Sequence, residues 1–263
     1  MQSALTDQRY WDAVWQFTDD HAATPAPRVV PGPIASFLDA AFAARLGPGR
    51  RFLEVGAGGS AWPAHVASAH RAESWGVDFS AGGLALAARA VLPGAAPVHL
   101  VEGDLFDDAK LPTHHFDVIY SGGFVEHFPS PRELMERFAR LLAPGGVVVT
   151  GVPNLCGVNG VLQRLLDAET FARHVVLSPS ALDAAHRTGG LYPVEPARYI
   201  GVVDPGAVNF ARVAERLPGA AWRGLSFALA KLRRAGVWYG LRTGEQGGRW
   251  WAPMVAGIYR AED

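Results

Sequence analysis

The sequence predicts an α/β fold built on a doubly wound, mostly parallel sheet. Five short apolar segments alternate with helix-like segments between residues 51 and 152, and such alternation is typical of parallel strands joined by crossover helices. The first strand runs into a glycine-rich turn at residues 56–59, and the second ends in an acid, Asp78. Sheets of this kind bind nucleotide cofactors at the carboxyl ends of their strands.

Length and composition indicate one unit with one sizeable core. The chain has 263 residues, of which 49% are hydrophobic, and its formal net charge is -1. A charge this small provides no cationic field for nucleic acid or an anionic membrane, so we expect neither as a partner. Cys156 is the only cysteine, which excludes an intrachain disulfide and favours a reducing compartment. The N-terminus lacks a leader pattern and no run of about 18 apolar residues occurs, so we expect a cytoplasmic protein.

Residues 1–49 are expected to form a helical cap and a connector ahead of the core. The predicted segments are an amphipathic helix over residues 7–19, a connector over residues 22–33 and a helix over residues 34–46. The first helix carries Tyr10, Trp11 and Trp15 at helical spacing, which gives it an aromatic face. The connector contains four prolines, which remove donors and restrict their neighbours, so no regular structure is expected there.

Residues 50–153 are predicted to form the cofactor-binding core. The predicted strands cover residues 51–55, 73–78, 98–102, 116–121 and 147–152. Ser80 is expected to cap the helix after the second strand, and Ser130 with Glu133 forms a capping box before the helix that leads to the fifth. The Ala-Pro-Gly-Gly segment at residues 143–146 is expected to end that helix.

Residues 154–263 are expected to supply substrate-cap helices and the closing strands of the same domain. Helices are predicted over residues 155–166, 178–188, 210–217 and 222–234, and strands over residues 198–203 and 254–260. Lys231 and Arg234 are expected near the carboxyl end of the last helix. Aromatic side chains crowd this part of the chain: Trp222, Trp238, Tyr239, Trp250 and Trp251. They suit a planar ligand, the core or a dimer interface alike, so we expect a monomer or a homodimer.

The glycine turn is the first candidate for a ligand site. Glycine tolerates positive φ and has no Cβ, so Gly56 and Gly58 permit a tight turn whose backbone can approach a ligand closely. Taken alone, these two glycines and Ala61 also fit the pattern of NAD or FAD enzymes. Asp78 stands 18 positions after Ser60, where a βαβ unit presents an acid to ribose hydroxyls. NAD enzymes share that acid, so these two motifs leave the cofactor class open.

Three further motifs favour one cofactor class. Glu54 stands just before the Val-Gly turn, Gly103-Asp104-Leu105 follows the third strand, and Leu142-Ala-Pro-Gly-Gly146 precedes the fifth. With the motifs in this order, residues 50–153 resemble the class I S-adenosylmethionine-dependent methyltransferases, and most of all the bacterial small-molecule branch related to ubiquinone-biosynthesis O-methyltransferases. The resemblance implies a seven-stranded sheet in the order 3-2-1-4-5-7-6, with an antiparallel last strand between the fifth and the sixth.

The same resemblance implies which residues hold S-adenosylmethionine. The methionine half would be held by Glu54, Gly56, Ala57 and Gly58, the ribose by Asp78, and the adenine by Phe79, Asp104 and Leu105, while Ser121 and Gly122 would border the sulfonium. The chemistry agrees, because carboxylates accept hydrogen bonds from hydroxyls and amines and an aromatic ring offers a stacking face. Ser60 departs from the family pattern, which usually has a third glycine there. A serine can begin a helix and donate to a carboxylate, so we expect binding to survive.

The acceptor side offers fewer signals. His127 stands a few residues past the fourth strand, where the family commonly has a histidine, and it is either a general base or a structural residue. Glu126 is expected either to replace His127 as the general base or to orient it. The expected contacts to the acceptor are Tyr10, Trp15, Phe124 and Asn154, although a turn is the favoured role of Asn154. His114 and His115 lack a carboxylate pair at ligand spacing, so no metal site is expected.

These features predict an enzyme that transfers methyl from S-adenosylmethionine to an oxygen, or else a nitrogen, of a small organic molecule. The Asn-Pro-Pro-Tyr motif of amino-group methyltransferases is absent. Heavy use of Ala, Arg and Gly suggests a GC-rich genome, which fits secondary metabolism. Two alternatives stay open, namely a noncatalytic cofactor-binding or assembly protein of the same fold and an NAD(P)-dependent oxidoreductase.

Overall fold

The computed structural model describes residues 4–19, 26–244 and 246–262, and it is built on one seven-stranded sheet. The strands are β1 (Arg51–Val55), β2 (Glu73–Asp78), β3 (Val98–Glu102), β4 (Phe116–Gly122), β5 (Leu142–Pro153), β6 (Leu191–Ile200) and β7 (Met254–Ala261). Their order in the sheet is β3-β2-β1-β4-β5-β7-β6. β1 to β5 pair in parallel, whereas β7 is antiparallel to β5 and β6. The predicted doubly wound sheet, with its antiparallel last strand, is confirmed.

Helices cover both faces of this sheet. They are α1 (Gln8–Asp19), α2 (Pro33–Ala43), α3 (Trp62–Ala69), α4 (Ala81–Ala88), α5 (Arg132–Leu141), α6 (Val158–Leu166), α7 (Ala168–Ala172), α8 (Pro179–Arg187), α9 (Ala211–Arg216), α10 (Gly219–Thr243) and α11 (Gly248–Trp251), with 3₁₀ turns at Val125–His127 and Pro205–Ala207. Phe42 of α2 packs with Phe52 on one face, and Leu134 of α5 packs with Leu53 on the other. Because neighbouring residues of a strand point to opposite faces, β1 separates two core layers.

The carboxyl ends of the five parallel strands meet at one edge of the sheet. The loops after β1, β2, β3 and β4 lie there side by side, because β1 is central between β2 and β4 and β3 pairs with β2. This arrangement brings the glycine turn, Asp78, residues 103–105 and residues 121–128 to the same edge. Among the helices of the described ranges, none is both long enough and apolar enough to cross a membrane.

β6 differs from its predicted position. It spans Leu191–Ile200, whereas the sequence pattern predicts residues 198–203. Proline cannot donate to a strand ladder and is tolerated on edge strands. β6 contains Pro193 and Pro196, and its register against β7 shifts on both sides of Glu195. Pairing with β7 therefore defines this edge strand, while its own sequence carries a weak strand pattern.

The last long helix also differs from the prediction. α10 continues to Thr243 and ends at Gly244, which adopts a left-handed conformation with φ of 69°. Lys231 and Arg234 consequently lie in the interior of the helix, and the prediction that they mark its end is wrong. Trp238, beyond them, is exposed, so an apolar periodicity does not reveal this extension. α6 begins at Val158 rather than at residue 155.

Two predicted helix signals have different outcomes. The Ser80 cap is confirmed, since its hydroxyl accepts from the N–H of Gly83 at 3.4 Å. The capping box before α5 is wrong, because the helix begins after Pro131 and has no side-chain cap bond. β5 begins at Leu142, directly after α5, since Leu142 pairs with Phe116 of β4. Residues 143–146 therefore belong to the start of the strand.

Candidate active site

The turn after β1 is fixed by hydrogen bonds to β2. The N–H groups of Gly56 and Ala57 donate to the carbonyl of Val77 at 2.9 and 3.1 Å. Gly56 and Gly59 have φ of 75° and 64°, values that favour glycine over other residues. The left-handed conformations therefore fall on the first and last glycines of the turn, whereas the sequence pattern predicts the tight turn at Gly56 and Gly58.

Asp78 joins the end of β2 to this turn. Its Oδ2 accepts from the N–H of Gly58, and its Oδ1 accepts from the N–H of Ser80, both at 2.8 Å. The space at residue 58 favours glycine, since a Cβ there would lie 2.8 Å from Nε1 of Trp15 and 2.9 Å from Oδ2 of Asp78. Burial raises the pKa of Asp78, although the hydrogen bonds from Ser80 and Gly58 oppose this shift. Each carboxylate oxygen has a further lone pair, so the group can still accept from a diol.

A cavity of about 660 Å³ opens beside the turn and Asp78. The predicted residues on its wall are Gly56, Gly58, Asp78, Phe79, Asp104, Leu105, Gly122, Phe124 and Trp15. Its wall also includes residues that the sequence did not single out as ligand contacts: Gln8, Trp11, Glu102, Gly103, Phe106, Lys110, Gly123 and Phe128. A volume of this order suits a nucleotide-sized ligand. α1 and the loops after four strands therefore enclose one candidate cofactor cavity.

Glu54 is the fourth residue of β1, one residue before the strand ends, and it does not line the cavity. Its side chain is 3% exposed, and its Oε2 has no hydrogen-bond partner among the described residues. Burial raises the pKa of Glu54 to about 8; the hydroxyl of Ser60 opposes this shift and the charge of Asp78 adds to it. A buried oxygen without a partner is costly. The site therefore fits a ligand that brings a cation or a donor, such as an α-ammonium group.

Ser60 has the structural role expected for it at the start of a helix. Its Oγ accepts from the N–H of Trp62, the first residue of α3, at 3.1 Å. The departure from a third glycine thus leaves both the turn and the helix start intact.

Arg137 supports the loop after β3, and the sequence analysis missed it. Its side chain is fully buried on α5. The guanidinium donates to the carbonyls of Leu105 and Asp107 at 2.8 and 3.2 Å and forms an ion pair with Asp108. Asp104 tightens the same loop, since its Oδ1 accepts from the N–H of Phe106 at 2.9 Å. In the sequence, Arg137 could have been noticed as an arginine within the otherwise apolar stripe of the predicted helix.

α1 covers the glycine turn with an aromatic side chain. The ring of Trp15 lies so close that a Cβ on Gly59 would be 2.5 Å from it, and one on Gly83 would be 2.8 Å from its Nε1. The buried Nε1 of Trp15 has no partner among the described residues. Gln8, the first residue of α1, donates from Nε2 to the carbonyl of Phe79 at 3.0 Å. α1 thus covers the cavity and carries one N–H donor, Nε1 of Trp15, that has no partner among the described residues.

His127 is held in one tautomer after β4. Its Nδ1 lies 2.8 Å from the carbonyl oxygen of Arg173, so Nδ1 carries the proton and Nε2 keeps its lone pair. The ring is 4% exposed and lies against the rings of Trp11 and His174, with centroids 5.5 and 4.7 Å away. Burial lowers the pKa of His127 to about 4; the charge of His174 adds to this shift and the bond to Arg173 opposes it. His127 is therefore a neutral, covered acceptor, and it is not on the cavity wall.

Glu126 is buried beside His127. Its Oε2 has no partner among the described residues, and burial raises its pKa to about 8. Ligand atoms of Glu126, His127 and His174 all lie within 4.8 Å of one another, so this group could hold a cation next to the cavity. Two backbone bonds fix the loop, since Val175 donates to the carbonyl of Glu126 at 2.7 Å and Leu5 donates to that of His127 at 2.8 Å.

The remaining predicted residues lie outside the cavity. Ala57 and Ser121 are fully buried behind its wall. Tyr10 packs against Arg173, whose Cζ lies 4.4 Å from the ring centroid. Asn154 donates from Nδ2 to the carbonyls of Arg249 and Ala252 at 2.9 and 2.8 Å, while its Oδ1 accepts from the N–H of Cys156 at 3.1 Å. Those bonds occupy the polar atoms of Asn154, as its turn role predicts.

A second cavity, of about 340 Å³, lies on the α2–α3 side of the same edge. Its wall consists mainly of residues 28–35, 60–62 and 201–204, together with Tyr120 and Met254. The described wall residues of the two cavities do not overlap. Both lie next to the glycine turn, one on either side of it.

Comparisons with known proteins agree with this geometry. Residues 53–150 match a family model described as a methyltransferase domain. The chain is 28% identical over 194 residues to a ubiquinone biosynthesis O-methyltransferase of Bordetella avium, covering 70% of this chain and 76% of that protein. It is 29% identical over 196 residues to the protein of the same name from Cronobacter sakazakii, covering 74% and 73%.

A solved structure extends the likeness to nearly the whole chain. The [4+2]-cyclase SpnF superposes with a TM-score of 0.63 and 17% identity, over 99% of this chain and 96% of that one. The shared fold, the glycine turn with Asp78, and the matches over the core together identify residues 53–150 as a methyltransferase domain of the class I S-adenosylmethionine-dependent type, with S-adenosylmethionine as its cofactor.

Proposed function

We propose that this protein methylates an oxygen of a small organic molecule, such as a hydroxyl-bearing secondary metabolite, with nitrogen as the lesser alternative. The observation that carries the oxygen preference is His127, whose Nδ1–H is bound by the Arg173 carbonyl so that Nε2 is free to accept a proton. Relatives named ubiquinone biosynthesis O-methyltransferases support the same preference.

In this proposal the first cavity holds the cofactor. Asp78 accepts hydrogen bonds from the ribose diol, while Phe79 and Leu105 contact the adenine and Asp104 accepts from its exocyclic amine. We assign the α-ammonium group to Glu54, whose Oε2 has no partner among the described residues. Because Glu54 does not line the cavity, side chains of the wall have to move before the two groups can meet. Gly56 and Gly58 let the backbone approach the methionine half, and Gly122 borders the sulfonium. Ala57 and Ser121 act from behind the wall by fixing the turn and the end of β4.

When bound, S-adenosylmethionine supplies a methyl group on a sulfonium, from which it departs by in-line displacement. The protein therefore has to align the acceptor with the methyl group and exclude water. Trp11, Trp15 and Phe124 supply apolar surface for both tasks at the cavity wall. His127 then takes the hydroxyl proton on Nε2 as the acceptor oxygen attacks. An amine acceptor keeps its proton until after attack, so it needs no base at that step.

His127 can act only if its cover opens. The rings of Trp11 and His174 lie against it, and Tyr10 anchors α1 to Arg173 on the same side. An acceptor must therefore displace α1, or the segment that carries Arg173 and His174, before it reaches Nε2. In this proposal Tyr10 belongs to the moving cover and does not contact the acceptor directly. Asn154 is not carried into the proposed site, because its polar atoms already have backbone partners.

Turnover with S-adenosylmethionine tests the proposal. A panel of phenols, catechols and hydroxylated polyketide-like acceptors, set against matched aromatic amines, should give S-adenosylhomocysteine and an O-methylated product with at least one hydroxyl acceptor. Methylation of the amines alone would overturn the oxygen preference. Tight S-adenosylhomocysteine binding without turnover on any acceptor would favour a noncatalytic protein, and NADH binding in its place would contradict the cofactor assignment.

One structural relative indicates that the fold alone leaves the reaction open. SpnF is named a [4+2]-cyclase, and cyclisation is a chemistry different from methyl transfer. The same turnover assay separates the two, because methyl transfer consumes S-adenosylmethionine stoichiometrically and a cyclisation does not.

A further inference from the structure

Three metal-ligating side chains converge on the outer side of α2 and α3, away from the first cavity. Asp39 belongs to α2, His65 belongs to α3, and His70 follows the last residue of α3. The Nε2 atoms of His65 and His70 lie 2.9 and 2.8 Å from the same Asp39 oxygen, Oδ1. All three ligand atoms lie within 4.8 Å of one another. One carboxylate oxygen and two imidazole nitrogens thus lie close to one another.

The spacing of these atoms is close to that around a metal ion. Ligands at about 2.1 Å from Zn²⁺ lie about 3.0 Å apart at right angles and about 3.4 Å apart at the tetrahedral angle. The two distances from Oδ1 of Asp39 are slightly shorter than either value, so small side-chain rotations would open room for an ion. Among the described residues, no Lys or Arg lies within ion-pair distance of Asp39. The carboxylate therefore has no fixed cation that would compete.

The two imidazoles can present their lone pairs at little cost. In the present bonds each Nε2 faces the carboxylate, and the Nδ1 atoms of His65 and His70 have no hydrogen-bond partner among the described residues. Moving each proton from Nε2 to Nδ1 consequently breaks no bond elsewhere. The ring of Trp62 stands edge-on to His65, with centroids 5.4 Å apart, and restrains its orientation. All three side chains are partly exposed, so an ion can enter and water can complete its shell.

We propose that Asp39, His65 and His70 bind one divalent transition-metal ion, represented by Zn²⁺, which joins α2 to α3. Two imidazoles and a carboxylate are a donor set that Zn²⁺, Co²⁺ and Ni²⁺ accept. The ion acts as a clasp and takes no part in methyl transfer. α2 follows the connector that lines the second cavity, and Trp62 at the start of α3 lines it too. The clasp therefore stiffens two walls of that cavity.

Titration of the full-length, untagged protein with metal ions tests the proposal. After treatment with a chelator, the protein should bind one equivalent of Zn²⁺ by calorimetry, and Co²⁺ should give visible d–d absorption of a nitrogen- and oxygen-ligated ion. Zn²⁺ should also raise the melting temperature, and a chelator should reverse this. Absence of binding at a tenfold excess of Zn²⁺ would overturn the proposal.

Variants locate the ion. His70→Gln keeps a hydrogen-bond donor for Asp39 but removes the imidazole, and Asp39→Asn keeps the shape of the carboxylate; each should weaken Zn²⁺ binding about tenfold or more. The matched control is His174→Asn, because His174 belongs to the other described group of possible ligands. Binding that persists in His70→Gln and disappears in His174→Asn would place the ion beside His127 and refute the clasp. Circular dichroism of each variant confirms that the fold is retained.

Discussion

We expect cofactor binding to release a proton from the carboxyl group of Glu54. Burial raises its pKa to about 8, so the carboxyl is mostly protonated at pH 7 in the free protein. An α-ammonium group beside it favours the ionised form and lowers the pKa. Binding of S-adenosylhomocysteine at pH 7 is therefore expected to release up to about one proton per site. Calorimetry in buffers of different ionisation enthalpy measures this release directly.

Glu54→Gln provides the matched control. The amide has the size of the protonated acid but cannot ionise, so proton release should vanish and S-adenosylhomocysteine should bind roughly tenfold more weakly or worse. An unchanged proton release in the variant would assign the proton to another group, with Asp78 the next candidate because burial also raises its pKa.

The lowered pKa of His127 leads to a prediction about how turnover depends on pH. Its pKa is lowered to about 4, so Nε2 is already unprotonated at pH 6 and kcat should stay flat from pH 6 to pH 8. A histidine with an ordinary pKa would lose activity below about pH 6.5. His127→Ala should lower kcat by about 10²- to 10⁴-fold with an oxygen acceptor and leave S-adenosylhomocysteine affinity nearly unchanged.

The control for this variant is His99→Ala, which removes an exposed histidine paired with Glu73. It should behave like the wild type. Near wild-type turnover of His127→Ala across pH 6 to 9 would show that alignment alone suffices and that the bond to Arg173 makes His127 structural.

At the scale of elements, α5 is expected to hold the loop after β3 in shape through Arg137. Arg137→Ala leaves the carbonyls of Leu105 and Asp107 without their donors and a void in the core. We expect a loss of about 2–4 kcal/mol in the free energy of unfolding and weaker S-adenosylhomocysteine binding. Urea unfolding and calorimetry measure the two effects.

Arg140→Ala serves as the comparison, because Arg140 lies on the same helix but is exposed. Arg137→Lys should fall between the two, since lysine keeps the charge but cannot reproduce the planar set of donors. Equal effects of Arg137→Ala and Arg140→Ala would mean that the loop after β3 holds its shape without the guanidinium.

The N-terminal segment with α1 and the segment from α7 to Leu177 are expected to act as a cover. Neither belongs to the sheet, and each donates one backbone bond, from Leu5 and from Val175, to the loop that carries Glu126 and His127. Hydrogen exchange in residues 4–19 and 168–177 should slow when S-adenosylhomocysteine and acceptor bind together. β5, which lies between β4 and β7 inside the sheet, supplies the internal reference. Unchanged exchange in both segments would count against a cover.

The elements that could be predicted are those whose pattern is local. β1 to β5 are short apolar runs bounded by turns, and the glycine turn and Asp78 sit at fixed distances along the chain, so the sheet and about half of the wall of the candidate cofactor cavity follow from the sequence. β6 could not be placed because Pro193 and Pro196 interrupt its pattern and β7 supplies its register. α10 could not be bounded because much of its surface, including Phe227 and Trp238, is exposed.

At the scale of the whole molecule, the contacts that the sequence analysis missed join residues that are far apart in the chain. Trp15 meets Gly59 from a separate helix, and Arg137 meets Leu105 across 32 positions. No spacing rule connects such pairs. The same holds for His127, whose covered position depends on Trp11 and Arg173 from two separate segments.

The fold as a whole should be sensitive to acid because it buries neutral histidines. His186 of α8 is fully buried, where its Nδ1 donates to the carbonyl of Leu182, its Nε2 accepts from Thr150, and its ring stacks on Tyr259. These bonds satisfy the neutral ring. Burial lowers the pKa of His186 to about 3, against about 6.5 in an unfolded chain.

The sign of the effect follows from this difference. Below pH 6.5, His186 is protonated in the unfolded chain but stays neutral in the folded protein. The contribution of His186 to stability is therefore complete above pH 6.5 and is lost as the pH falls toward 3. Between pH 6.5 and 4 the loss is up to about 3 kcal/mol.

Glu54 and Glu126, whose pKa values are raised to about 8, act in the opposite direction, because their contribution to the stability of the protein is lost as the pH rises above about 4.5. A single pH profile therefore mixes both effects, and the test is the difference between wild type and His186→Gln in urea unfolding at pH 4 to 7. The variant is expected to be less stable at pH 7 but to lose less on acidification, and parallel curves would show that His186 stays unprotonated in both states or is hydrated in the folded one.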